Sequence, residues 1–148
     1  MKLISIIMPY YKKKAFVEEA INSVLCQTYK KFELLLIYDD ENLSDYKYIS
    51  NLAKKDNRIK LFKNKKNLGS GLSRNLGIKH SKGFYSAFLD SDDVWFKNKL
   101  KVQLDYMKKN KLPISFTAYK IINEKSENML TIKNVIYFCV VTCKTIKH

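Results

Sequence analysis

The chain has 148 residues, of which 46% are hydrophobic and 28% charged, so it is long enough for one globular domain with a buried core. Lysine and arginine number 28 against 14 acidic residues, which gives a net charge of +14. No apolar run approaches the roughly 18 residues that a membrane-spanning helix needs, and the N-terminal residues do not match a signal peptide.

Strands and helices alternate along the first 110 residues. Continuous apolar runs predict buried strands, and apolar residues at helical spacing predict amphipathic helices. In chain order we predict strand 3–8, helix 15–27, strand 32–38, helix 44–55 with Ser44 as N-cap, strand 58–62, glycine-opened helix 69–81, strand 84–89 and helix 97–110, which ends before Pro113. This rhythm predicts βαβ units, and therefore an α/β fold with a mostly parallel sheet flanked by helices.

The rhythm changes after Pro113. Residues 114–122 predict one strand, a polar turn follows, and residues 131–141 are again apolar and β-branched. We therefore expect a domain over 1–124 and a divergent C-terminal segment over 125–148.

The charge and the cysteines set expectations about partners and location. The lysines are spread over every predicted element rather than gathered in one tract, which favours solvated surfaces over a nucleic-acid-binding patch. Binding of nucleic acid is the weaker alternative. Three cysteines, Cys26, Cys139 and Cys143, are odd in number and lack metal-ligand spacing, which favours a reducing, cytoplasmic location.

Unusual residues follow the ends of the predicted strands, where ligands bind in open α/β sheets. They are Pro9, Tyr10 and Tyr11 after the first strand, Asp39 and Asp40 after the second, Arg74 beyond the third, and Asp90, Asp92 and Asp93 after the fourth. The two tyrosines suit either packing or stacking on a base, and the paired aspartates suit either a turn or hydrogen bonds to a base or ribose.

The motif "LDSDD", residues 89–93, offers hard oxygen ligands of the kind that Mg²⁺ or Mn²⁺ shares with phosphate. An acidic turn that caps the next helix is the alternative. An EF-hand is excluded, because Trp95 and Lys101 stand where glycine and glutamate are required. An aspartyl phosphatase loop, with Asp90 phosphorylated, would need further acidic ligands downstream. The near-match "GSGLSR" is no dinucleotide fingerprint, because Arg74 replaces its last glycine; its glycines suit a helix N-terminus that faces an anion.

Taken in order, "SIIMPYY", "SVLCQTYKKFE", "IYDD", "NLGSGLSRNLGIKHSKG" and "FLDSDD" resemble the inverting family 2 glycosyltransferases of GT-A fold from about residue 3 to 124. The resemblance implies transfer of a sugar from a nucleotide-diphosphate donor to a glycan or lipid-linked acceptor, in cell-envelope polysaccharide synthesis. Peripheral association with the inner face of the membrane is a further expectation.

The resemblance also assigns roles to residues. Pro9, Tyr10 and Tyr11 would line the nucleotide pocket, Asp40 with Asp39 would hold the base or ribose, and Arg74 would lie near the diphosphate. Asp90, Asp92 and Asp93 would hold Mg²⁺ or Mn²⁺ against the diphosphate.

The sequence departs from the family pattern in three places. Lys12 replaces a common asparagine, the Gly-Ser that often follows the aspartates is missing, and none of Asp105, Glu124 and Glu127 matches the catalytic base. We therefore expect a truncated or frameshifted transferase, and as an alternative a donor-binding module without turnover. An uncovered apolar strand at 135–141 predicts self-association.

Overall fold

The structure is a computed structural model that describes residues 1–118, together with the backbone of three short strands between 121 and 143. The apolar segment at 131–140, Glu124, Glu127 and Cys139 lie outside the described residues, as does His148. None of the helices in the described part of the chain is long and apolar enough to cross a membrane.

Four strands and four helices alternate as the sequence predicts, with ends that differ by up to two residues. The elements are β1 (Ile4–Tyr10), α1 (Lys14–Leu25), β2 (Phe32–Tyr38), α2 (Leu43–Ala53), β3 (Ile59–Lys63), α3 (Gly69–His80), β4 (Tyr85–Phe88) and α4 (Lys99–Lys109). They are followed by β5 (Ile114–Ser115), β6 (Ile121–Ile122), β7 (Asn128–Leu130) and β8 (Val141–Cys143).

The main sheet has the order β3-β2-β1-β4-β8-β5. β1 lies between β2 and β4 and is parallel to both, and β3 is parallel to β2. β8 runs antiparallel between β4 and β5, and β6 pairs with β7 in a separate two-stranded sheet. The predicted mostly parallel sheet with flanking helices is confirmed.

Two local predictions are wrong. The single strand expected at 114–122 is two short strands, because Ile114–Ser115 pairs with β8 whereas Ile121–Ile122 turns away and pairs with β7. The N-cap of α2 is Asn42 rather than Ser44: the Asn42 side chain accepts hydrogen bonds from the backbone N–H groups of Ser44 and Asp45. A capping side chain must precede the first turn, and Ser44 already lies within it.

The sheet separates two apolar layers. One face of β1 and β2 packs against α1, α2 and α4 in a large cluster of buried residues. The other face, with Ile7, Leu35 and Ile37, packs against Leu76 of α3. Gly77 allows this close approach, because a Cβ there would lie 2.4 Å from a methyl group of Ile7. The N-terminus of α3 is thereby brought to the carboxyl edge of the sheet.

Candidate functional site

A cleft of about 370 Å³ opens at the carboxyl ends of β1, β2 and β4, beside the first turn of α3. This volume falls in the usual range for small-molecule sites. Its lining combines an aromatic ring, carboxylates and an arginine: Pro9, Tyr10, Tyr11, Asp39, Asn67, Gly69, Ser70, Arg74, Asp90, Ser91 and Asp92. Residues from four separate segments meet here because consecutive parallel strands end at one edge of the sheet.

Asp39 anchors the start of α3. Its Oδ1 accepts hydrogen bonds from the side-chain amide of Asn64 at 2.7 Å and from the Leu68 N–H at 2.8 Å, and its Oδ2 accepts one from the Gly69 N–H at 2.8 Å. In addition, the Asn67 side-chain amide donates to the Asp39 carbonyl. Asp39 is 2% exposed, so these bonds replace the water that the carboxylate loses on burial. A buried charge therefore fixes the loop between β3 and α3.

Asp40 stabilises a neighbouring turn. Its Oδ1 accepts hydrogen bonds from the backbone N–H groups of Glu41 and Asn42, and its Oδ2 accepts one from the Lys12 N–H at 3.2 Å. Lys12 has a φ of 52°, a left-handed conformation that is uncommon for lysine. Asp40 is nearly buried and is not among the residues that line the cleft.

Tyr10, the last residue of β1, and Tyr11, which follows it, have different surroundings. The ring of Tyr10 has no exposed surface, stacks on Tyr38 at a centroid distance of 5.1 Å, and donates a hydrogen bond through its hydroxyl to Asp45. Burial, followed by the hydrogen bond to Asp45, raises the pKa of Tyr10. Tyr11 is 46% exposed and lines the cleft. Packing thus accounts for the Tyr10 ring, whereas the Tyr11 ring is accessible to a ligand.

The acidic turn after β4 is held by basic side chains of the chain itself. An Nη of Arg74 on α3 lies 2.5 Å from Oδ1 of Asp90, and Nζ of Lys13 lies 2.9 Å from Oδ2 of Asp92. The hydrogen bond to Asp92 and the charge of that carboxylate raise the pKa of Lys13, so its ammonium group stays protonated. The turn therefore presents carboxylates and cations together at the cleft.

Asp93 differs from the other two carboxylates. Its N–H donates to the Asp90 carbonyl, which closes the turn, and it is not among the lining residues of the cleft. The residue is exposed as a whole, yet desolvation of its carboxyl group, and then the negative charges of Asp90 and Asp92, raise its pKa. Like charges this close favour the protonated form unless a cation joins them.

The carboxylates of Asp90 and Asp92 fit a divalent ion whose other ligands are phosphate oxygens and water. Across the described part of the chain, no three carboxylate, histidine or cysteine groups are placed so that they could hold a metal ion by themselves. Mg²⁺ and similar ions are commonly bound by one or two carboxylates, with phosphate oxygens and water as the other ligands. Asp90 and Asp92 both line the cleft and meet that requirement.

Sequence reasoning missed Lys13. It belongs to a run of three lysines that reads as a solvated surface, and only the folded chain places its Nζ on Asp92. The partners of Asp39 were missed for the same reason, since Asn64 is 25 residues away along the chain.

The family model for glycosyl transferase family 2 matches residues 5–145. The chain belongs to this family. It is 38% identical, over 97% of its length, to the Escherichia coli enzyme named UDP-Glc:alpha-D-GlcNAc-diphosphoundecaprenol beta-1,3-glucosyltransferase WfgD. It spans 59% of WfgD, and only 20% of an uncharacterised glycosyltransferase of Rickettsia felis to which it is 47% identical.

Solved structures share the fold of this chain. TarS of S. aureus, crystallised in complex with UDP, superimposes with a TM-score of 0.68 at 26% identity, over 77% of this chain and 34% of TarS. The mannosyltransferase PcManGT of Pyrobaculum calidifontis, in complex with GDP-Man and Mn²⁺, gives a TM-score of 0.66 at 17% identity, over 72% of this chain and 32% of that one. The predicted GT-A fold and the resemblance to family 2 are confirmed.

Proposed function

We propose that this family 2 chain binds a nucleoside-diphosphate sugar together with a divalent ion, and supplies the donor half of a sugar transfer to an acceptor hydroxyl. The observation that carries this proposal is the meeting of Tyr11, Arg74, Asp90 and Asp92 in one cleft. Similarity to WfgD and to TarS, which was crystallised with UDP, favours UDP as the nucleotide.

Each residue has a part in this proposal. Tyr11 stacks on the base, and Asp39 fixes the α3 start and the cleft wall. Asp90 and Asp92 would hold the ion, with Asp93 in support through its charge, and Arg74 would lie beside the diphosphate. Pro9 and Tyr10 complete the lining of the cleft, and Asp40 orients the loop that carries Tyr11. When bound, the ion neutralises charge on the departing diphosphate as a Lewis acid.

The chemistry is a displacement at the anomeric carbon with inversion. The acceptor oxygen forms the new bond, the bond from the anomeric carbon to the diphosphate oxygen breaks, and a base takes the acceptor proton. Arg74 stabilises the negative charge that the nucleoside diphosphate gains. We assign no base among residues 1–118, where Asp105 lies exposed on α4 away from the cleft lining.

The name of WfgD favours a lipid-linked diphosphate as the acceptor, which would place the reaction in the cytoplasm at a membrane surface. Within the part of the chain that the structure describes, Cys26 carries an exposed free thiol, which is compatible with a reducing compartment. A donor-binding role without turnover is the second candidate, because the described residues provide the donor side of the reaction.

Calorimetry with UDP, with and without Mn²⁺, tests the donor site. We expect Mn²⁺ to strengthen UDP binding to the wild-type protein, and Asp92→Asn to abolish that gain. Asp105→Asn, which removes an equal charge from an exposed position on α4, should retain it. Equal UDP affinity with and without Mn²⁺ would disprove the metal assignment. Sugar release from UDP-glucose, measured on the same protein, separates the transferase from the donor-binding candidate.

A further inference from the structure

Lys13 and Asp92 form an ion pair at the edge of the proposed metal site. Lys13 is the N-cap residue of α1, and its Nζ lies 2.9 Å from Oδ2 of Asp92. Both side chains are partly exposed, at 44% and 37%, so the pair can open without unfolding of the surrounding structure. Asp92 itself lines the cleft.

A lysine ammonium group and a divalent ion both bind Asp92 through a carboxylate oxygen at short distance. Two cations on one carboxylate repel each other, so binding of the ion is coupled to loss of the lysine pair. Arg74 makes a comparable contact with Asp90, at 2.5 Å. The acidic turn is thus already supplied with cations by α1 and α3 before any ion arrives.

We propose that Lys13 is a counter-ion of Asp92 within the chain, and that a divalent ion must displace Lys13 from Asp92 in order to bind. The inference rests on the proposed function of Asp92 and adds a competitor that lowers the affinity for the free ion. In the absence of nucleotide, Lys13 therefore compensates the charge of Asp92 and keeps the affinity of the site for a metal ion low. Lys13 is a positioning residue in this scheme, because it acts through Asp92.

The adjacent Lys14 provides a matched control. It stands next in the chain, its side chain is 48% exposed, and its Nζ lies 3.0 Å from Oδ1 of Asp45 rather than from the acidic turn. Lys13→Met and Lys14→Met each remove one positive charge from the same segment, and both keep most of the side-chain volume. Any difference between them reports the contact with Asp92, not the change in net charge.

The test measures Mn²⁺ binding without nucleotide, from the electron paramagnetic resonance signal of the free ion. We expect Lys13→Met to bind Mn²⁺ about two- to fivefold more tightly than Lys14→Met, the range for an exposed ion pair. Equal affinities of the two lysine variants, or weaker Mn²⁺ binding by Lys13→Met, would overturn the inference. If Asp92→Asn then binds Mn²⁺ more weakly than the wild type does, the assignment of Asp92 to the metal site still stands. If Asp92→Asn binds Mn²⁺ as well as the wild type does, both the inference and the assignment of Asp92 are wrong.

Discussion

Replacement of Asp39 by asparagine tests whether this residue builds the site or contacts the donor. Asparagine has nearly the same shape but only one acceptor oxygen, whereas the Asp39 carboxylate accepts three hydrogen bonds at 2.7 to 2.8 Å. Whichever way the amide is oriented, its NH₂ group faces another donor, either the Gly69 N–H or the donors of Asn64 and Leu68.

The cost follows from the burial of these groups. A buried donor left without an acceptor costs about 1–3 kcal/mol, and the remaining bonds lose the strengthening that a charged acceptor gives. We therefore expect Asp39→Asn to lower the free energy of unfolding by about 2–4 kcal/mol. Because Gly69 begins the helix that carries Arg74, UDP binding should weaken as well.

Urea-induced unfolding followed by far-ultraviolet circular dichroism measures the change. Asp105→Asn removes a carboxylate from an exposed site on α4 and should stay within about 0.5 kcal/mol of the wild type. Equal stability of the two variants would refute the anchoring role of Asp39. Unchanged stability together with lost UDP affinity would instead support the direct donor contact that the sequence suggested.

Three further outcomes are expected. Gly83→Ala should destabilise the protein by about 2 kcal/mol or more, since its Cβ would lie 2.4 Å from the Ser5 backbone nitrogen, whereas Gly71→Ala meets no atom within 4 Å and should raise the melting temperature slightly. Burial raises the pKa of Tyr38 to about 12. Because Tyr38 ionises at a lower pH in the unfolded chain than in the folded protein, its contribution to stability is complete below about pH 10 and is lost between about pH 10 and 12. Tyr38→Phe should therefore flatten the decline of the free energy of unfolding with pH, which urea titrations over that range measure. Arg74→Met should weaken UDP binding about tenfold or more in calorimetry, the cost of one hydrogen bond to a charged group, while Arg58→Met should not.

The sequence by itself determined the order and type of the first eight elements. The short length and the isoleucines of β1 favour a buried strand, and the helices between the strands show apolar residues along one face. It also placed the candidate site, because polar residues after consecutive parallel strands share one edge. Both inferences depend on short-range patterns, which are visible along the chain.

Tertiary structure alone decided which of these polar residues line the cleft. Tyr10 and Tyr11 are adjacent and identical in the sequence, yet one ring is stacked on Tyr38 and the other is open to the cleft. Likewise, Lys13 reaches Asp92 and Lys14 reaches Asp45, although both belong to the same run of lysines. The partners in these two pairs are separated by 79 and 31 positions along the chain. Only the packing of the helices and strands sets the distance between the partners and the burial on which the free energy of each contact depends.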